Sequence, residues 1–186
     1  MEPKLIGLSG KKRSGKDTVY NIASTLMEES KIGRVAFGDA VRHEVSEITG
    51  YRMDFIEEHK AEFRSLLQVW GTEFRRHFNG SNYWLEKMGE VLDKTQDHYD
   101  VLFITDVRFS NEAEWIRNRG GKLVKVERRQ MVYHNIEDCI PDTHSSETAM
   151  DDYSNYDYVI NNDGTENELI ASVSAMLSTL KIKNAA

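Results

Sequence analysis

Cysteine is nearly missing from this chain: Cys139 is the only one among 186 residues. One thiol cannot close an intrachain disulfide, so stability must come from a hydrophobic core, and a reducing compartment such as the cytoplasm is expected. Cys139 stands beside Ile140-Pro141 without an adjacent basic residue that would favour its thiolate, and it reads as inert. Proline is equally scarce, at two residues. With no repeat, linker or low-complexity tract either, long irregular stretches are disfavoured. No apolar run approaches the roughly 20 residues needed to span a bilayer. The opening Met1-Glu2-Pro3-Lys4 lacks a secretory pattern, so no membrane partner is expected. Positive charge is in deficit, with 24 Lys and Arg against 31 Asp and Glu and a net charge of −7. A nucleic-acid backbone requires a basic face, so nucleic acid is not expected as a partner.

What remains is an ordinary globular composition, 39% hydrophobic and 30% charged. The length suits a single α/β domain over residues 1–186. Basic residues cluster only locally, at Lys11-Lys12-Arg13 and Arg128-Arg129, a pattern for small anionic ligands in an acidic protein. Short apolar runs predict strands over residues 4–9, 34–37, 101–105, 122–127 and 158–160. Helical spacing predicts helices over 17–29, 39–48, 57–77, 81–92 and 111–119, and a last one from Thr165, where Thr165 and Glu168 could form a capping box. Phe63, Leu66, Leu67, Trp70 and Phe74 form the apolar stripe of the 57–77 segment. Residues 128–153 show little periodicity and read as an inserted lid; His144, near Ser146 and Glu147, reads as a loop residue within it. Strands alternating with helices give a three-layer α/β/α fold with a parallel sheet of about five strands and ligands at the strands' carboxyl ends.

One motif decides the class. Gly10-Lys11-Lys12-Arg13-Ser14-Gly15-Lys16 satisfies G-x-x-x-x-G-K and lies between a strand and a helix. Glycines let such a loop curl so that successive N–H groups face phosphate oxygens. The following helix adds its positive end, and Lys16 brings a cation to the β- and γ-phosphates. ATP with Mg²⁺ is therefore the expected cofactor. A Ser or Thr that would hold Mg²⁺ usually follows the lysine; here Asp17 stands there, with Thr18 next. Asp17 either contacts Mg²⁺ through water or interacts electrostatically with the helix start, and the sequence leaves both open.

Other candidates follow from position. The 101–105 run delivers Asp106 to a strand end, where an acid can orient a Mg²⁺ hydration shell or cap a turn. Arg108 could grip a phosphate bidentately, or pair with Glu112 or Glu114. Arg64, Gln68, Thr72 and Arg75 recur at helical spacing opposite the apolar stripe, offering charge for a phosphate and an amide for a base edge. Asp39 and Arg42, after the second strand, would open onto the same cleft. Arg128 or Arg129 would serve as a lid arginine that stabilises transferring charge. No histidine pair has the spacing of a zinc site.

Taken together, these blocks resemble the deoxynucleoside monophosphate kinases of tailed bacteriophages. The resemblance runs through Leu8-Ser9-Gly10 and Arg13-Ser14-Gly15-Lys16-Asp17-Thr18, then Arg64-x-x-Leu67-Gln68-x-x-Gly71-Thr72-Glu73 with Trp84 downstream. It returns in Asp106-x-Arg108, Asp142-Thr143-His144 and Val159-Ile160-Asn161-Asn162-Asp163-Gly164. It implies transfer of the ATP γ-phosphate to a deoxynucleoside monophosphate, Asn161, Asn162 and Gly164 near the adenine, and Arg64, Gln68 and Arg108 at the acceptor. A small-molecule nucleotide is then the partner, a homodimer is compatible with the sequence, and a phage-encoded chain would work in the host cytoplasm. The segment before Arg64 is shorter than in some relatives, which leaves the base preference open. Kinases of dephospho-coenzyme A or phosphomevalonate share the loop and the Asp-x-Arg block, but the Arg64–Thr72 stretch with Trp84 favours a nucleotide. A non-enzymatic switch is the other alternative; a GTP switch would carry Asn-Lys-x-Asp, which is missing here.

Overall fold

The computed structural model describes residues 3–95, 97–129 and 143–182. Two compact units divide the chain, Met1–Val35 with Thr95–Ala186, and Ala36–Lys94.

In the first unit, strands β1 (Lys4–Ser9), β2 (Ile32–Val35), β3 (Val101–Val107), β4 (Lys122–Glu127) and β5 (Tyr158–Asn161) form one parallel sheet in the order β2-β3-β1-β4-β5. β1 is central, in register with Val101 at Lys4 and with Lys122 at Ile6. Its continuous apolar run suits a strand covered on both faces. Side chains alternate across the sheet. Ile6, Leu8, Phe103 and Val124 meet α1 (Lys16–Leu26) and α8 (Glu166–Thr179) through Val19, Ala23, Val173 and Met176. On the other face Gly7 lets α6 (Ser110–Asn118) close in, since a Cβ there would lie 2.8 Å from Ile116. The layers are thus α/β/α, as expected. Thr165 and Glu168 form the capping box that starts α8, with the Thr165 N–H donating to Glu168 at 2.7 Å.

Phe103 is fully buried and stacks edge-on against Tyr20 of α1, ring centres 5.6 Å apart. Phe103→Ala is expected to cost about 3–5 kcal/mol through lost transfer energy and a residual cavity. A urea titration would show this as a lower midpoint with little change in slope.

Chain order places the candidate site. The connections leave β1 towards β2 and β3 on one side and return to β4 and β5 on the other. The crevice at such a reversal lies beyond the carboxyl end of β1, where Gly10 begins the loop into α1. A short helix, α7 (Ser145–Thr148), lies within the stretch expected to be irregular; residues 130–142 of the expected lid fall outside the described residues.

The second unit is helical: α2 (Phe37–Thr49), α3 (Met53–Glu58), α4 (Lys60–Gln68), a π-helix (Val69–Arg76) and α5 (Tyr83–Thr95). Two expectations change here. The second strand ends at Val35 and α2 begins at Phe37, because the Asp39 carboxylate accepts the Ala36 N–H at 2.9 Å and starts the helix early. The single helix expected over 57–77 breaks at His59 and widens after Gln68. Glu44 explains the widening. Its carboxylate accepts Trp70 Nε1–H at 2.8 Å, Arg75 Nε–H at 2.7 Å and the Tyr83 hydroxyl. Residues five apart are turned about 140° from each other on an α-helix, whereas i to i+5 bonding brings them to one face. Burial disfavours the Glu44 charge, yet the Tyr83, Trp70 and Arg75 donors outweigh it and hold the carboxyl below its usual range. Among the described residues no helix is long and apolar enough to cross a membrane.

Candidate phosphate-binding active site

The loop after β1 has an unusual backbone that its residues permit. Gly10 has φ +151 and Gly15 has φ +99; Arg13, at φ +63, adopts the left-handed region despite its side chain. A Cβ on Gly10 would sit 2.3 Å from the Val126 carbonyl oxygen and 2.7 Å from Ser14 Oγ, and one on Gly15 would strike Asn162 Nδ2 at 2.3 Å. Side chains are therefore excluded from a tight cradle. Ser14 Oγ is buried in it without a hydrogen-bond partner among the described residues. Gly15 opens α1 with no side-chain cap, so the helix start keeps its donors and its positive end for a ligand. Lys16 Nζ donates to the carbonyls of Gly10 at 2.7 Å and Lys11 at 2.9 Å, folding back over the loop. Burial, with the Arg108 charge adding to it, lowers the Lys16 pKa to about 8 against the pull of Glu147, Asp17 and Asp106.

This loop opens on a cavity of about 410 Å³ within the first unit, walled by Ser14, Arg108, Lys125, Arg128, Arg129 and Glu147 among others. β3 carries Asp106 and ends at Val107, which lines the cavity together with Arg108 just beyond it. Glu112, buried on α6, accepts the Arg108 N–H at 2.8 Å and the Phe109 N–H at 3.1 Å, so it caps the helix rather than pairing with the guanidinium. The side-chain partner of Arg108 is Glu147 of α7. Burial works against the Arg108 charge, and the carboxylates of Glu147 and Asp106 outweigh it, so its pKa is raised. Lys11 donates to the Glu147 carbonyl at 2.6 Å and pairs with Asp151. The role of Glu147 and Asp151 was not legible in the sequence, since they reach Arg108 and Lys11 across 39 and 140 positions and belong to no periodic pattern.

Other expected site residues take varied places. Asp17 and Thr18 are exposed on the first turn of α1, and Asp17 lies 3.9 Å from Arg34. Arg128 and Arg129 are exposed on the cavity wall, with the Arg129 N–H donating to Asp163 at 2.6 Å. Asn161, the last residue of β5, and Gly164 beyond it are exposed, whereas Asn162 is buried and donates Nδ2–H to the Ser14 carbonyl at 2.9 Å, bracing the loop. In the second unit, Arg64, Gln68 and Thr72 are half-buried on α4 and the π-helix. Arg75 does not continue their stripe, because it turns to Glu44 and lies over the Trp70 and Tyr83 rings. Asp39 and Arg42 pair with each other, and Arg42 also reaches Glu57 at 3.2 Å. Trp84 needs correcting as a direct ligand contact. It is 2% exposed, and its indole N–H goes to the Gly71 carbonyl at 2.8 Å, supporting the turn that carries Thr72.

Comparison with known proteins speaks to the family and the fold. A protein of Acanthamoeba polyphaga mimivirus, provisionally named a deoxynucleotide monophosphate kinase, is 28% identical over 91% of this chain and 93% of its own. Among solved structures, a Thermus thermophilus protein superposes with a TM-score of 0.57 at 17% identity, covering 96% of this chain and 98% of its own. The dephospho-CoA kinase of Campylobacter jejuni does so at 0.53 and 12% identity, covering 96% and 97%. At such identities these two speak to the fold alone. The family model for deoxynucleotide monophosphate kinases matches residues 39–173, a stretch that begins after the phosphate loop and is thus independent of it. The chain is a nucleotide-binding kinase and belongs to the deoxynucleotide monophosphate kinase family.

Proposed function

We propose that the protein transfers the γ-phosphate of ATP, with Mg²⁺, to a deoxynucleoside 5′-monophosphate, and that residues 1–186 work as one kinase domain. The observation that carries this reading is the cradle itself: a loop closed to side chains at Gly10 and Gly15, with Lys16 drawn over it and Arg108 on the cavity wall. The donors fit a polyphosphate, and the buried Ser14 hydroxyl adds a polar group to the same cradle. Among the described residues no group of three or more His, Cys, Asp or Glu side chains is placed to cage a metal. Mg²⁺ would be held largely by water and phosphate oxygens, with Asp106 and Asp17 orienting its water shell. Bound there, Mg²⁺ supplies charge neutralisation at the β- and γ-phosphates.

The residues of the chain have mainly electrostatic and aligning roles. The loop N–H groups and Lys16 hold the donor phosphates, and Arg108 and Arg128 stabilise charge on the transferring group. Arg64, Gln68 and Thr72 bind the acceptor nucleotide; Asn161 and Gly164 line the adenine end. No residue need act as a general base, since a phosphate monoester is already dianionic near neutral pH (second pKa about 6).

Coupled ADP release from ATP and Mg²⁺ with dAMP, dGMP, dCMP, dTMP and GMP in turn tests this. Turnover that depends on one of the deoxynucleotides supports the reading. Background ADP with all of them would overturn it and direct attention to other small acceptors.

Lys16 gives a pH signature. Its ammonium is needed to hold phosphate, and in the free protein it loses its proton above about pH 8. kcat/KM for ATP should therefore fall above that pH, approaching tenfold per unit. kcat should stay level to higher pH, because phosphate beside Lys16 restores its affinity for the proton. Initial rates across pH 6.5 to 10 at low and saturating ATP (about these limits, to bracket the free-enzyme value) separate the two.

A further inference from the structure

We propose that Glu147 is a positioning residue for phosphoryl transfer, holding Arg108 by one nitrogen so that the rest of its guanidinium fork serves the transferring phosphate. The inference rests on the kinase reading above and extends it to a residue outside the phosphate loop and the Asp106-Arg108 pair.

The geometry is a strut. Arg108 Nη1 donates both to the Ser146 carbonyl, at 3.1 Å, and to the Glu147 carboxylate. One turn of chain thereby grips one corner of the guanidinium with a backbone oxygen and a charged side chain. Among the described residues, both side-chain hydrogen bonds of Arg108 fall on Nη1, so the Nη2 side of the fork is not committed to the strut. The strut is itself anchored on the phosphate loop, since Lys11 donates to the Glu147 carbonyl at 2.6 Å and pairs with Asp151. Burial divides the pair unequally: the Glu147 side chain is 7% exposed and that of Arg108 37%. A carboxylate that far from water is costly unless paired. Its arginine therefore stays engaged, while the guanidinium keeps a face on the cavity. An arginine has several rotatable bonds, and fixing one nitrogen of the planar fork removes most of that freedom before a phosphate arrives.

Two other roles make different forecasts. A tie that merely keeps α7 in place would affect melting temperature and leave kcat alone. A carboxylate that competes with phosphate for Arg108 would, once neutralised, raise activity. The test uses the full chain in the coupled assay, with Glu147→Gln, Glu147→Asp, Arg108→Ala and the Arg108→Ala/Glu147→Gln double variant, and with a thermal melt of each. Positioning predicts that Glu147→Gln lowers kcat about 10- to 100-fold, the scale on which a misplaced group acts, with KM for ATP within about threefold. Glu147→Asp should recover part of the loss. The double variant should match Arg108→Ala alone, because a positioner has nothing left to position.

Unchanged or raised kcat in Glu147→Gln, with Arg108→Ala strongly impaired, would overturn the proposal and leave the kinase reading standing. So would losses that multiply in the double variant. Absence of acceptor-dependent turnover in the unaltered protein would instead remove the kinase reading, and this proposal with it. Should Glu147→Gln melt at assay temperature, Glu147→Asp at a lower temperature carries the same comparison.

Discussion

Lys16→Ala is expected to reduce acceptor-dependent ADP formation by on the order of 10²–10³-fold, the usual cost of removing one preorganised charge donor from a transfer site. The loss should appear in kcat as well as in KM. The lysine already lies over the loop, bonded to the Gly10 and Lys11 carbonyls, so an incoming polyphosphate meets a cation in place. Its truncation should barely affect folding. A buried ammonium with a lowered pKa contributes no stability below about pH 8, and its desolvation penalty is relieved only as the pH rises through that value towards its ordinary 10.5. Loss of activity at an unchanged or slightly raised melting temperature is therefore the expected pair of results. A variant that kept more than about a tenth of the activity would remove Lys16 from the charge-stabilising role.

Gly10→Ala should be nearly as damaging by another route. Its methyl would lie 2.3 Å from the Val126 carbonyl oxygen, which belongs to β4 beside β1 and cannot yield without disturbing the sheet. The loop must move instead, displacing the carbonyls that hold Lys16 and the cradle around Ser14. Activity should fall at least about 100-fold, the scale on which a misplacement of about 1 Å acts. Stability should fall by about 1–3 kcal/mol from backbone strain and overpacking. Gly80→Ala is the control: it also carries a positive φ, of +96, but a Cβ there meets nothing within 4 Å and it lies on no wall of the cavity. It should lose some stability and keep turnover. A Gly10→Ala protein with normal turnover would mean that the loop conformation is not what the reaction needs.

Much of this was legible because the decisive signals are local. The apolar run over residues 101–105 reads as a covered strand and forms the body of β3, and the spacing from Gly10 to Lys16 carries its own geometry. The Thr165 and Glu168 cap was readable for the same reason. Non-local chemistry was not. The 57–77 stretch has good α-helical spacing, yet Glu44 draws Trp70 and Arg75 to itself and sets a wider turn; no periodicity within the segment contains that information. Asp39 and Arg42 are expected at the cleft from their place after the second strand; that Arg42 pairs with Asp39 and with Glu57 cannot be read from that place. Trp84 belongs to a pattern associated with nucleotides, but its burial shows that it supports the π-helix.

The bond from Asn162 to the Ser14 carbonyl joins positions 148 apart, and the neighbours of β1 are also distant in sequence, Lys4 pairing with Val101 of β3 and Ile6 with Lys122 of β4. During synthesis the phosphate loop emerges well before its brace and remains unbraced until β5 and Asn162 have left the ribosome. A nascent chain can thus hold the whole motif and still lack the backbone that binds phosphate. High contact order of this kind slows folding and ties competence for the nucleotide to the arrival of Asn162. A fragment ending before residue 162 would keep every residue of the loop but lose its brace.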